Sequence, residues 1–334
     1  MIQEKKEHTR EFPVVAIHCL VYNHGPYLHD CFEGFIMQQT NFPFVIVVHD
    51  DASTDNSAAI IREYTSKYPH LFRPIYETEN QYSNPKVSVD CIVNAEIQKT
   101  GAKYIALCEG DDYWTDPLKL QRQVDFLEAN PEYSFCCHRF KILKHTENQF
   151  INEYAHNAYT ANQNLIIDEN IFAKYWTTQW LTTVTRADLF FEACDTAKQL
   201  FGRCLDVYLY FLLLQKGNGV SLNQQMGIYR WHSNGASIGR THYKRVLDGY
   251  NVYSLLLQHF PNKTSILTKT KNYATSLLGY KNCFKKSDRI LYKQIRPLYS
   301  STKEYLKATA IFIIIPPCIW NILRNTYSFI KFHD

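Results

Sequence analysis

Residues 12–21 read FPVVAIHCLV, a nearly continuous apolar run that stops at Tyr22-Asn23-His24-Gly25-Pro26. A strand with one wet face alternates apolar and polar side chains. A run this apolar needs cover on both faces, the condition of a strand inside a parallel sheet. The turn residues end it, and residues 27–38 follow as a helix, with Leu28, Cys31, Phe32 and Phe35 at helical spacing. The plan then repeats. Phe44–Val48 is a strong strand that runs into His49-Asp50-Asp51-Ala52-Ser53-Thr54-Asp55. Ser53 or Thr54 is expected to cap a helix over 56–67. Further strands are expected at 71–76, 104–108 and 134–142, with helices at 87–99 and, opened by Pro117, at 118–129. This alternation predicts an α/β fold with a parallel, doubly wound sheet through about residue 145.

Ligands of such sheets bind at the carboxyl ends of the strands. Three polar strand ends therefore converge: Tyr22-Asn23, Asp50-Asp51 and Glu109-Gly110-Asp111-Asp112. The last follows the apolar run Tyr104–Cys108, and the next lysine along the chain is Lys119. Buried carboxylates cost folding energy unless a cation sits among them. Mg²⁺ and its relatives take oxygen ligands, one or two carboxylates together with substrate phosphates. The cluster thus points to a metal–phosphate site, against the plainer reading of a turn whose acids cap a helix.

The remaining chain is less regular. Residues 146–175 are polar, and Trp180–Thr185 reads as a short segment lining a pocket. Asp206–Gln215, DVYLYFLLLQ, is a very apolar helix entered by an acid, and Ile228–His232 reads IYRWH before a turn. From about residue 243 the pattern is helical and basic. Residues 240–334 hold sixteen Lys and Arg against four Asp and Glu, while residues 1–239 hold twenty against twenty-eight. That asymmetry suits an anionic membrane surface or nucleic acid as partner of the C-terminal part. Residues 308–323, ATAIFIIIPPCIWNIL, are uncharged but fall short of the ~20 residues of a simple span, and Pro316-Pro317 interrupts them. They read as an interfacial anchor or as a buried terminal segment. Ten cysteines without a CxxC pair show no zinc pattern, and the first twelve residues lack the apolar core of a signal peptide. Reduced thiols in a cytoplasmic protein are expected.

Four motifs together resemble the family 2 glycosyltransferases: VYNHGPYL at 21–28, VVHDDASTDNS at 47–57, YIALCEGDDYWTDPLKLQRQV at 104–124 and YRWHSNGAS at 229–237. The resemblance covers about residues 12–240 and rests on the order and spacing of the motifs. It implies a GT-A fold, a Rossmann-like, mostly parallel sheet flanked by helices, carrying a helical basic C-terminal extension. The implied division is a catalytic domain over 1–240, with a nucleotide-sugar half at 12–145 and an acceptor half at 146–240, followed by 241–334. The implied activity is inverting transfer of a sugar from a nucleotide-sugar donor, a UDP-sugar first, to an acceptor hydroxyl on a glycan or lipid-linked glycan in surface polysaccharide synthesis. Tyr22 and Asn23 would border the nucleoside, and Asp51 or Asp50 would accept a hydrogen bond from the base. Glu109-Gly110-Asp111 occupies the family's Asp-x-Asp position: Asp111 would bind Mn²⁺ or Mg²⁺, and Glu109, a departure from the first Asp, would lie near the ribose or the metal. Arg230 would hold the pyrophosphate and His232 would complete the metal shell. Asp206 would be the general base, although Leu205-Asp206 departs from the commoner acidic or glycine-led pair.

The alternative from another class is a non-catalytic, membrane-associated scaffold that keeps the fold; the presence of Asp111, Asp206 and His232 argues against it. Nucleic acid is not an expected partner, and location on the cytoplasmic face of a membrane is. A dinucleotide-dependent oxidoreductase is disfavoured because no GxGxxG follows the first strand.

Overall fold

The computed structural model describes residues 13–82, 89–153, 155–160, 163–175, 177–233, 235, 240–278 and 294–300. The elements run β1 (Val15–Val21), α1 (Leu28–Ile36), β2 (Phe44–Asp50), α2 (Ser57–Lys67), β3 (Phe72–Tyr76), α3 (Val89–Thr100) and β4 (Tyr104–Leu107). They continue as β5 (Tyr113–Trp114), α4 (Lys119–Ala129), β6 (Phe135–Lys144), β7 (Gln149–Asn152), β8 (Leu165–Ile167), α5 (Glu169–Lys174) and β9 (Val184–Arg186). The last are α6 (Ala187–Phe201), α7 (Asp206–Leu214), β10 (Gly219–Trp231), α8 (His242–His259) and α9 (Thr264–Leu278).

One sheet orders its strands β3-β2-β1-β4-β9-β6-β10-β5, with β7 beside β6 and β8 beside β10. The strands β3, β2, β1 and β4 are parallel, which is the alternation expected from the sequence. In β1, Val15, Ala16, Ile17, Cys19 and Val21 are all at most 1% exposed, so the apolar run is covered on both faces. The strand expected at 134–142 forms as β6, but β9 stands between it and β4, antiparallel to both. Its placement is set by side-chain bonds to distant carbonyls. Arg186, at the end of β9, donates to the carbonyls of Tyr133 and Leu127, and Gln123 of α4 donates to those of Cys136 and Thr182. Residues 180–185 therefore form a short 3₁₀ turn and a core strand rather than the open pocket lining expected of them.

Trp114 is a packing residue. It is 2% exposed, its indole N–H donates to the Leu181 carbonyl at 2.8 Å, and its ring lies 4.7 Å from that of Phe35. A Cβ on Gly34 would stand 2.9 Å from the Trp114 backbone, so only glycine lets α1 approach β5 this closely.

Beneath the indole lies a fully buried lysine. Lys119 Nζ sits 3.7 Å from the Trp114 ring centroid and has no hydrogen-bond partner among the described residues. Burial pulls its pKa from 10.5 down to about 7, against the opposing influence of the Cys108, Cys136 and Cys137 thiols. Between these two values the unfolded chain holds a proton that the folded chain has lost, so stability rises with pH across that window. Lys119→Met is expected to remove this dependence and to raise stability at pH 7 by about 1–4 kcal/mol, measured by urea unfolding across pH. A loss of stability would contradict the assignment of a poorly compensated buried amine.

The chain divides into two compact units. One comprises Met1–Glu153, Thr160–Ile166 and Thr178–Arg230; the other comprises Tyr154–Tyr159, Ile167–Thr177 and Trp231–Asp334. In the second, α8 and α9 pack through Val246, Tyr250, Ala274, Leu277 and Leu278. No helix among the described residues is long and apolar enough to cross a membrane. The 308–323 tail lies outside the described residues.

Candidate active site

The register of the parallel block sets the site. Val21 pairs with Asp50, and Asp50 with Tyr76. Beyond β4 the chain keeps bonding to β1, with Cys108 N–H to the His18 carbonyl and Gly110 N–H to the Leu20 carbonyl at 2.9 Å. Tyr22-Asn23, Asp50-Asp51 and Glu109-Gly110-Asp111 are thereby brought to neighbouring strand ends, as the alternation requires. Gly110 is there because a Cβ would stand 2.9 Å from the Val21 and Leu28 side chains and 3.0 Å from the His24 ring.

Two loops are tied around this end by side chains. Asn23, at φ 55, accepts from Thr54 N–H at 2.7 Å and from Asp55 N–H, while its own N–H donates to Ser53 Oγ. Ser53 and Thr54 thus hold Asn23 rather than capping α2; Asp55 takes the N–H of Ser57 and of Gly25 instead. Burial pushes the Asp55 carboxyl up, but those hydrogen bonds outweigh it and hold it below its usual value. Asp51 is 4% exposed and precedes Ala52, a non-glycine residue at φ 57. Its carboxylate accepts from Gln81 N–H at 2.6 Å, Tyr82 N–H at 3.0 Å and Asn80 Nδ2 at 2.9 Å. Asp50 is also buried, and its Oδ1 has no hydrogen-bond partner among the described residues. Asp51 organises the 80–82 loop, and Asp50 keeps an acceptor with no donor among the described residues. Tyr22 is 46% exposed at the lip of the same end.

Asp111 and Asp112 are buried, and Glu109 is half-buried. The Asp112 carboxyl is pushed well above its usual range, first by burial and next by the charge of Asp111, while the N–H of Arg230 opposes the shift. His24 Nε2 stands 3.8 Å from Asp111 Oδ2. Arg230 closes the cluster from β10, which pairs antiparallel with β5 at Ile228 and Tyr113. Its backbone N–H donates to Asp112 Oδ1 at 2.8 Å, Nη1 donates to the Asp111 carbonyl at 3.0 Å, and Nη2 meets Asp30 Oδ2 at 2.6 Å. The guanidinium lies 4.8 Å from the ring centres of both Tyr27 and Tyr113. The structure therefore commits Arg230 to bracing the acid loop. Tyr27, Asp30 and Tyr113 were not among the expected site residues; nothing local in the sequence marks them, because β10 brings Arg230 to them from over a hundred positions away.

Asp206 opens α7, and its Oδ1 accepts from Val207 N–H at 2.8 Å. Water reaches the side chain, yet the surrounding protein desolvates it and raises its pKa above the ordinary 3.8, against the Val207 hydrogen bond. One turn on, the Tyr210 hydroxyl hydrogen-bonds Thr183 Oγ1 at 2.6 Å, and the Thr183 carbonyl accepts from Leu107 N–H at 3.0 Å. The helix is thus anchored to the last residue of β4. His232 is 3% exposed and belongs to the second unit.

No three His, Cys, Asp or Glu side chains among the described residues form a ready metal cage. What the acid loop offers is hard oxygen donors with an excess of negative charge, the donor set that Mg²⁺ or Mn²⁺ shares with substrate phosphates. The residues fit such an ion.

Comparison with known proteins agrees with this geometry. An uncharacterized protein of Mycobacterium tuberculosis is 40% identical over 129 residues, 39% of this chain and 36% of its own length. An uncharacterized glycosyltransferase of Nostoc is 28% identical over 109 residues, 33% of this chain and 31% of its own. TuaG of Bacillus subtilis, described as a candidate teichuronic acid biosynthesis glycosyltransferase, is 27% identical over 124 residues, 37% of this chain and 46% of its own. The chain thus spans less than half the length of these relatives. Among solved structures, Staphylococcus aureus TarS in complex with UDP superposes with a TM-score of 0.56 at 13% identity, covering 83% of this chain and 77% of that one, which shows the GT-A fold. The profile of Glycosyl transferase family 2 matches residues 17–183, half of the chain, and includes the Asp50-Asp51 and Glu109–Asp112 ends. The chain belongs to glycosyl transferase family 2.

Proposed function

We propose that the protein transfers a sugar, with inversion, from a UDP-sugar to an acceptor hydroxyl in the synthesis of a surface polysaccharide, and that it needs Mn²⁺ or Mg²⁺ to do so. The observation that carries the reading is the placement of Asp50-Asp51 and the Glu109–Asp112 loop at the same end of the sheet, on either side of β1. The first pair suits a base N–H and the second a metal-bound diphosphate. The UDP held by TarS, a protein of the same fold, supports the choice of base.

Each side chain then has one task. Asp50 accepts from the base while Asp51 holds the 80–82 loop beside it, Tyr22 and Asn23 border the nucleoside, and Glu109 lies toward the ribose. Asp111 would hold the metal, which as a Lewis acid would neutralise charge growing on the departing diphosphate. Asp206 takes the proton of the acceptor hydroxyl as that oxygen attacks the anomeric carbon. A desolvated carboxylate is a stronger base than one in water, which suits the role. Arg230 serves the diphosphate through the loop it braces. A glycan or lipid-linked glycan acceptor on the cytoplasmic face of a membrane fits the TuaG likeness and the basic C-terminal part.

Donor hydrolysis by the purified protein, with a panel of UDP-sugars and with or without Mn²⁺, tests the reading. One sugar should be released in the presence of the metal, and Asp111→Ala should lower that release at least ~100-fold. Equal release by Asp111→Ala, or release indifferent to the metal, would overturn it.

A further inference from the structure

The connection between α6 and α7 carries a pair of thiols that the transfer reaction does not use. Cys204 Sγ lies 3.4 Å from Cys194 Sγ, a thiol–thiol hydrogen bond. Cys194 is buried on α6, and Cys204 is half-buried in the short link that ends at Asp206. We propose that these two residues are a reversible redox site, at which a small-molecule disulfide of the glutathione class oxidises the pair to an intramolecular disulfide and so displaces Asp206.

The local build favours both steps. Lys198, one turn beyond Cys194 on α6, pairs with Asp195 Oδ1 at 3.7 Å and carries its ammonium charge on the same helix as Cys194. The thiolate is the reactive form in disulfide exchange. The Cys204 thiolate attacks the small disulfide, forming a mixed disulfide and expelling one small thiolate. The Cys194 thiolate then attacks Cys204 Sγ, forming the internal bond and expelling the second. Two protein thiols are oxidised, one small disulfide is reduced to two thiols, and the two protein protons pass to those products.

The link has somewhere to move. Gly202 sits at φ 77, and a Cβ placed on it would meet nothing within 4 Å, so the backbone there borders open space. The Phe201 and Tyr208 rings stack at 4.1 Å across the two helix ends and confine adjustment to the residues between them. Closing the sulfurs to a bonded ~2.05 Å draws them together by about 1.4 Å. Asp206 lies two residues from Cys204, and a misplacement of ~1 Å in a reacting group can cost about 100-fold in rate. This last consequence rests on Asp206 being the base; formation of the disulfide does not.

The test treats the full-length protein with glutathione disulfide, blocks remaining thiols, and maps peptides by mass spectrometry beside a transfer assay. A peptide pair joined through Cys194 and Cys204, formed with loss of two hydrogens and accompanied by at least a tenfold fall in transfer that dithiothreitol reverses, is the expected result. Cys204→Ser should keep its activity under the same treatment. A stable glutathione adduct on Cys204, a bond to Cys91 instead, or a cross-link that leaves transfer unchanged would overturn the proposal. Asp206→Asn separates the two claims: it should still cross-link, and if it also retains full transfer, then the assignment of the base has failed while the redox pair stands.

Discussion

Asp206→Asn is expected to lower the rate of sugar transfer by about 10²- to 10⁴-fold while leaving UDP affinity within about twofold, because a general base acts in the transition state and not in donor binding. The amide keeps an oxygen for the Val207 N–H but cannot take the acceptor's proton. The same substitution should not weaken the fold. Desolvation raises the pKa of Asp206 in the folded chain above its unfolded value, so the folded form binds the proton more tightly. Stability contributed by the protonated acid is present at low pH and is lost as pH rises through the folded pKa. Because water reaches the carboxylate, this contribution is small at neutral pH, and Asn should leave stability nearly unchanged. Transfer by the unmodified protein should fall as pH drops through that raised pKa, because only the carboxylate accepts a proton. A residue that merely caps α7 would behave in the opposite sense, with stability lost and the rate kept.

The second large effect is at Arg230. Arg230→Ala is expected to cost about 3–4 kcal/mol of stability, from charge-assisted hydrogen bonds and from the cation–π contacts with Tyr27 and Tyr113. It should also weaken metal-dependent UDP binding at least ~10-fold, because the Asp111 carbonyl loses its Nη1 donor, while Asp112 keeps only the backbone N–H of residue 230. Arg230→Lys keeps the charge without the planar fork and should recover part of the stability but little of the affinity. Asp30→Ala removes only the exposed partner, 61% open to water, and should change stability by less than about 1 kcal/mol. These outcomes distinguish bracing from direct phosphate contact. An arginine that touched the diphosphate itself would, on loss, weaken UDP but not uridine and leave the unfolding midpoint in place.

The parts of this molecule legible in its sequence are those that periodicity governs. An apolar run such as Phe12–Val21 has one economical solution, a strand covered on both faces, and the carboxyl-end rule then gathers Tyr22, Asp50 and Glu109 without further information. The antiparallel half was not legible. A three-residue strand such as β9 carries too little pattern, and its place between β4 and β6 is set by Arg186 and Gln123 bonding to carbonyls far along the chain. The same holds inside the site. Asp51 reads as a ligand acid, but its carboxylate holds the 80–82 loop through three hydrogen bonds that no local signal announces. Arg230 reads as a phosphate arginine until β10 is laid against β5 and its guanidinium is found between two tyrosines. Long-range side-chain to backbone bonds decide these roles, and they have no period to read.

The central claim is that the acid loop joins a divalent cation to a nucleoside diphosphate. Calorimetric titration of the full-length protein with UDP, in the presence of Mn²⁺ and then of a chelator, tests it most directly, with Asp111→Asn run in parallel. The account predicts binding that tightens at least ~10-fold with Mn²⁺, a gain of about 1.4 kcal/mol or more, and that loses this gain in Asp111→Asn. UDP binding equally tight with and without the metal, or a metal effect that survives in Asp111→Asn, would contradict it.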